Sequence, residues 1–192
     1  MRWLVASLLV VLVLLPNVCF GQEPQVQQRG PVKVVKTYQP ERRLDFEVEV
    51  PAPLDQVWTA LTTSEGLITW LTPEATVHFG KGGDWIAGFP GVAPGGGTIL
   101  DFEKGKSITI AALAPETFPT VRKERTRAVF EVSAIGDGSK TLVHLSQTGW
   151  KPGEEWERAF DYLAGGNASL LASLQQRFIK GPVDWAALMK KR

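Results

Sequence analysis

The 192-residue sequence has one cysteine, two histidines and a surplus of only one positive charge. A lone Cys19 cannot close an intrachain disulfide, and it lies in an apolar leader, so the folded chain is expected to hold neither a thiol nucleophile nor a thiolate metal site. Lys and Arg number 21 against 20 Asp and Glu, and the two signs are interspersed. That balance argues against a nucleic-acid binder and against a membrane-surface binder. No HExxH or comparable ligand spacing is present, so no metal and no cofactor is expected. No GxSxG elbow is present either, and no catalytic residue is assigned. Such a chain has room for one medium domain, held together by its hydrophobic core.

What is there begins with "MRWLVASLLVVLVLLPNVCFG": one positive charge at Arg2, an apolar run from Trp3 to Leu15, then Pro16 and small Gly21. The run has 13 residues, short of the roughly 20 needed to span a bilayer. Residues 1–21 therefore read as a cleaved signal peptide and the protein as exported, periplasmic or secreted. Their removal takes one arginine and no acid, leaving 20 basic and 20 acidic residues. Residues 22–40, rich in Gln and Pro, read as a flexible linker, in which "VKVVKTY" could add an edge strand.

"LDFEVEV" alternates Phe46, Val48 and Val50 with Asp45, Glu47 and Glu49, the pattern of a half-buried strand. "PAPLDQVWTALTTSEGLITWL" predicts two short helices, opened near Pro53 and at Ser64 and stopped at Pro73. Six further apolar segments follow, "ATVHF", "DWIAGF", "GTILDFE", "SITIAAL", "TRAVFEVSAI" and "TLVHLSQ", divided by turn residues as in an antiparallel meander. From Gly153 the period changes: Trp156, Phe160, Leu163, Leu170, Leu171, Leu174 and Phe178 follow the spacing of one long helix that stops at Gly181 and Pro182. Gly165 and Gly166 inside it predict a kink or a close approach to another backbone. Residues 182–192 form a tail whose Trp185 either packs back on the domain or meets a partner.

The glycines of "FGKGGDWIAGFPG" do not form a Walker loop, because Lys81 precedes them and a strand pattern follows; they read as a hairpin turn. His78 and His144 each sit within apolar strands and read as polar-face or hydrogen-bonded structural histidines. Ser146 shares a strand face with His144 but lacks an orienting partner in sequence. Glu154, Glu155, Glu157 and Asp161 suit the positive end of a helix dipole, or an acid at a cavity mouth. The sequon at Asn167 falls inside a predicted helix and reads as coincidence.

The order strand, two short helices, six strands, long helix is α+β and resembles the helix-grip fold of the START-like superfamily, a curved antiparallel sheet of about 6–7 strands around a C-terminal helix. "VPAPLDQVWTALTTSEGLITWL", "GKGGDW", "GTILDFE" and "GDGSKTLVHLSQTGW" carry the resemblance, which covers residues 41–181 and is nearer to the branch related to the activator of Hsp90 ATPase. The fold implies an apolar cavity between sheet and helix, for which Trp85, Phe89, Trp156 and Phe160 are the candidate walls and His144 the candidate polar contact. Three functions follow as expectations. One is a non-catalytic carrier of a small hydrophobic or lipid-like molecule. Another is a polyketide cyclase-like enzyme in which His144, Ser146 and Asp161 converge. The last is a module for an extracytoplasmic protein partner, not cytosolic Hsp90, which an exported chain would not meet.

Overall fold

The computed structural model describes residues 23–190, so the leader, with Cys19, lies outside the described residues. Nine strands form one antiparallel sheet: β1 (Gln25–Arg29), β2 (Val32–Thr37), β3 (Arg43–Val50), β4 (Glu74–Val77), β5 (Asp84–Gly88), β6 (Gly95–Glu103), β7 (Ser107–Leu113), β8 (Thr126–Ile135) and β9 (Lys140–Thr148). Their spatial order is β1-β2-β3-β9-β8-β7-β6-β5-β4. After β3 the chain crosses through helices α1 (Leu54–Thr62) and α2 (Ser64–Ile68) to the far edge. It then meanders back until β9 pairs with β3.

The expected sheet of 6–7 strands is thus too small, and residues 22–40 are not simply a linker. Strands β1 and β2 form a hairpin inside that segment. The reason is visible in β2, where Val32 and Val34 are fully buried. Val32 and Val34 are the only apolar side chains that β2 turns to this face. They suffice because β2 pairs with β3, and the same face receives the long helix α4 (Glu154–Lys180).

Helix α4 buries Trp156, Ala159, Phe160, Ala164, Ala168, Leu171 and Leu174 along one stripe. Its alanines let the backbone come near the sheet, and it seats on β3 and β2. The helix runs unbroken through Gly165 and Gly166. The close approach is to a side chain: a Cβ on Gly165 would lie 2.9 Å from Arg29 Nη1. Two short helices went unpredicted. Helix α3 (Pro119–Glu124) is capped by Glu155, whose carboxylate accepts from the Thr120 and Val121 backbone N–H groups at 2.7 and 3.0 Å. Helix α5 (Trp185–Met189) folds back, with Val183 N–H donating to Thr69 O at 2.9 Å and the Trp185 indole donating to Ile68 O.

The glycine-rich stretch is the β4–β5 hairpin turn, where a Cβ on Gly83 would sit 1.8 Å from His78 O. No other residue fits there. No described helix is long and apolar enough to cross a membrane.

Two substitutions test this reading of the fold. Val34→Ala is expected to lower stability in urea by about 2 kcal/mol, whereas a change in a loose linker would register near zero. Gly166→Ala, where an added Cβ meets nothing within 4 Å, is expected to raise stability by up to about 1 kcal/mol through helix propensity.

Candidate functional site

Because α4 seats over β2 and β3, the neighbouring inner face of β5 to β8 is left under the helix's edge. Two cross-strand rows lie there: Ile99, Ile110, Ala128 and Gln147, and beside them Trp85, Gly97, Ala112 and Thr126. This floor is low in its second row, where Gly97, Ala112 and Thr126 follow Trp85. At Gly97 any side chain is excluded, since a Cβ would lie 2.0 Å from Ala111 O. Above this floor is a cavity of about 80 Å³, walled by Trp85, Ile110, Phe130 and Leu145 and, from α4, by Leu163, Asn167 and Leu170. A second cleft of about 250 Å³ shares Trp85, Gly96 and Leu170 with it and reaches Phe89 and Leu71. The Trp85 indole N–H donates to Leu61 O at 2.7 Å, fixing the dividing wall. Phe89 is braced edge-on by Trp185, ring centroids 5.7 Å apart, so the C-terminal tail supports the outer cleft.

Two of the five predicted site residues thus reach the space between sheet and helix. Trp85 lines both chambers and Phe89 the outer one. Trp156 and Phe160 line neither chamber. They meet Trp150 edge-on, ring centroids 6.4 and 5.1 Å apart, in the solid core near the start of α4. Beside Phe160, buried Lys36 reaches Asp161 at 2.6 Å.

His144 is on the wrong face. Along β9 the residues Val143, Leu145 and Gln147 point into the core, which puts His144 on the outer surface. There its Nε2 is 3.0 Å from Asp45 Oδ1 and its Nδ1 3.0 Å from Glu131 Oε2. Asp45 also accepts from Arg43 at 2.7 Å. His144 and Ser146 are therefore separated by the sheet from Asp161 on α4, and the three do not converge. An outer depression of about 690 Å³ includes His144, Glu131, Glu103 and Lys106, but these charges pair with one another. Among the described residues no group of three His, Cys, Asp or Glu is arranged to hold a metal.

The cavity's polar groups are Gln147 and Asn167, neither of which the sequence reading proposed as site residues. Gln147 Nε2 donates to Thr126 Oγ1 at 2.7 Å, and Gln147 Oε1 accepts from Asn167 Nδ2 at 2.8 Å. Both were in phase with apolar neighbours: Gln147 two residues beyond Leu145, Asn167 seven beyond Phe160. This inward contact also agrees with reading the Asn167 sequon as coincidental.

A histidine that bonds two carboxylates through both ring nitrogens is best satisfied as the imidazolium. The hydrogen bond to Asp45 raises the His144 pKa above 6.5, burial works against this, and the bond to Glu131 adds to it. For Asp45, burial favours a higher value, but the hydrogen bonds from His144 and Arg43 outweigh it and hold the carboxyl below 3.8. The histidine contribution is therefore complete below pH 6.5 and is lost as pH rises through the higher folded value. The aspartate contribution is complete above pH 3.8 and is lost as pH falls through the lower folded value. Urea unfolding should give a lower midpoint at about pH 9 than at about pH 6. His144→Gln should shrink that difference and cost about 1 kcal/mol at the lower pH, since the cluster is partly solvated.

The model of the family described as Activator of Hsp90 ATPase homolog 1-like protein matches residues 51–178. Among solved structures the chain is similar to the Aha1 dimer from Colwellia psychrerythraea, at 18% identity and TM-score 0.58, covering 72% of this chain and 97% of that one. It is similar also to MLL2253 from Mesorhizobium loti, at 18% identity and TM-score 0.61, covering 74% of this chain and 100% of that one. A further likeness is to CalU16 from Micromonospora echinospora, at 20% identity and TM-score 0.55, covering 88% and 91% respectively. At such identities these likenesses speak to the fold alone. No curated protein matches the chain by sequence. The family match spans the helices α1 and α2, the meander and nearly all of α4, and on that ground the chain belongs to the Activator of Hsp90 ATPase homolog 1-like family.

Proposed function

We propose that this protein is exported and, without catalysis, binds a small hydrophobic molecule between the sheet and α4. The observation that carries the reading is the pair of adjoining chambers, about 80 and 250 Å³, with small Ala112 and Ala128 lining the inner one and Ala87, Gly95 and Gly96 the outer one. A core packed for stability alone would place bulk there. Trp85, Phe89 and Leu170 offer apolar contact on several sides, as small-molecule sites do. Export rests on the leader of residues 1–21, and an exported chain would not meet a cytosolic chaperone, so the family name is not carried over as its partner. An extracytoplasmic protein remains compatible with the outer face. The cyclase-like reading loses its proposed chemistry, because His144 and Ser146 lie across the sheet from Asp161.

Native mass spectrometry of the protein purified from its source extract tests the reading. The wild-type chain is expected to carry a reproducible small hydrophobic adduct, and Ala112→Phe, which fills the inner chamber, to lose it while unfolding cooperatively. A bare mass across several extracts would count against the carrier. An adduct equally abundant on the filled variant would move the site elsewhere.

A further inference from the structure

We infer that the chambers select a neutral, single-ring molecule bearing one hydrogen-bonding group, and that Asn167 reads that group. The inference rests on the binding function proposed above and adds the chemical class of the ligand.

Charge decides the first part. Among the described residues no ionised side chain lines either chamber: the inner one has Gln147 and Asn167 as its polar side chains, the outer one Thr72. A carboxylate or ammonium entering this space would lose its hydration with no counter-ion to replace it. In the row that contains Gln147 a cation, Lys36, stands beyond Leu44. It is already held by Asp161 at 2.6 Å. Fatty acids and similar anions are therefore disfavoured.

Hydrogen-bond accounting decides the second part. Gln147 is engaged at both ends, by Thr126 and by Asn167. Asn167 uses one N–H on Gln147, and a carboxamide has a second N–H and an oxygen with two lone pairs. Among the described residues nothing in the protein takes these up, and Asn167 lines the cavity wall. Its amide is oriented by Gln147 and can accept from, and donate to, one hydroxyl or similar neutral group.

Size decides the third. The inner chamber, about 80 Å³, is smaller than the roughly 150 Å³ apolar cavity that binds benzene in an engineered core. A ring fits only by extending past Trp85 and Leu170 into the outer cleft, which both residues also line. The polar group then sits at Asn167, and the ring lies against the Trp85 indole.

Calorimetric titration of the folded protein with p-cresol, toluene and 4-methylbenzoate at neutral pH tests this. These are one ring carrying a hydroxyl, no polar group and a charge. The wild-type chain is expected to bind p-cresol up to about tenfold more tightly than toluene, and 4-methylbenzoate too weakly to measure. In the double variant Gln147→Leu/Asn167→Leu the hydroxyl has no partner, so the order is expected to reverse in favour of toluene. If that variant does not fold, Gln147→Met/Asn167→Met, which uses flexible, unbranched side chains and likewise removes both amides, is expected to abolish the preference for p-cresol. Equal binding of p-cresol and toluene by the wild-type chain, strong binding of 4-methylbenzoate, or a p-cresol preference that survives the substitutions would overturn this inference and leave the carrier reading standing. Failure of the wild-type chain to bind any of the three would likewise overturn this inference, while the carrier reading is decided by the adduct in native mass spectrometry.

Discussion

The seating of α4 on β2 and β3 is the constraint from which the rest of the structure follows. A sheet with one apolar face must be covered, and a single helix cannot cover nine strands. Alanines at 159, 164 and 168 bring α4 down onto the β2–β3 side. The β5 to β8 side is then reached only by the helix's flank, through Leu163, Asn167 and Leu170. The chambers are the geometric remainder of that choice. Trp85, clamped to Leu61 O, divides them, and the C-terminal tail braces the outer wall through Trp185 and Phe89.

The two faces of the sheet solve opposite electrostatic problems. Outside, Asp45, His144, Glu131 and Arg43 form a partly solvated cluster in which each charge has an opposite neighbour. Water screens these pairs, so the cluster tunes stability with pH by modest amounts. Inside, the polar pair beside the cavity consists of two neutral amides. Burying neutral groups that are hydrogen-bonded costs far less than burying ions. Gln147 can therefore be almost fully buried, with Thr126 and Asn167 as its partners.

Much of the fold was legible because its signals are local. The alternation of "LDFEVEV", the helical period after Gly153 and the turn residues between six apolar segments each correspond to an element of the structure. The hairpin of β1 and β2 was not legible. Its burial comes from β3 and α4, distant in sequence, and all five residues of β1 are exposed. Helix α3 was hidden for a similar reason: its cap is Glu155, 34 and 35 residues away from the N–H groups it accepts. At the site, Trp85 and Phe89 could be assigned as walls, whereas Trp156 and Phe160 could not be told apart from them, since any large aromatic fits either a wall or a solid core. His144 was assigned inward as a polar contact although its neighbours Val143 and Leu145 occupy the inner face.

Parity along β9 carries the functional argument further than residue type does. A side-chain period of two means that one step separates the core face from the solvent face. Histidine is the more reactive residue, but its parity gives it to the outer cluster, where both ring nitrogens are engaged by carboxylates. Glutamine is chemically inert, but its parity gives it to the cavity. There it holds Asn167, which cannot act as an acid, base or nucleophile at neutral pH and can only offer hydrogen bonds. Among the described residues the polar side chains of the inner chamber are these two neutral amides, which suits the hydrogen-bonded recognition proposed above.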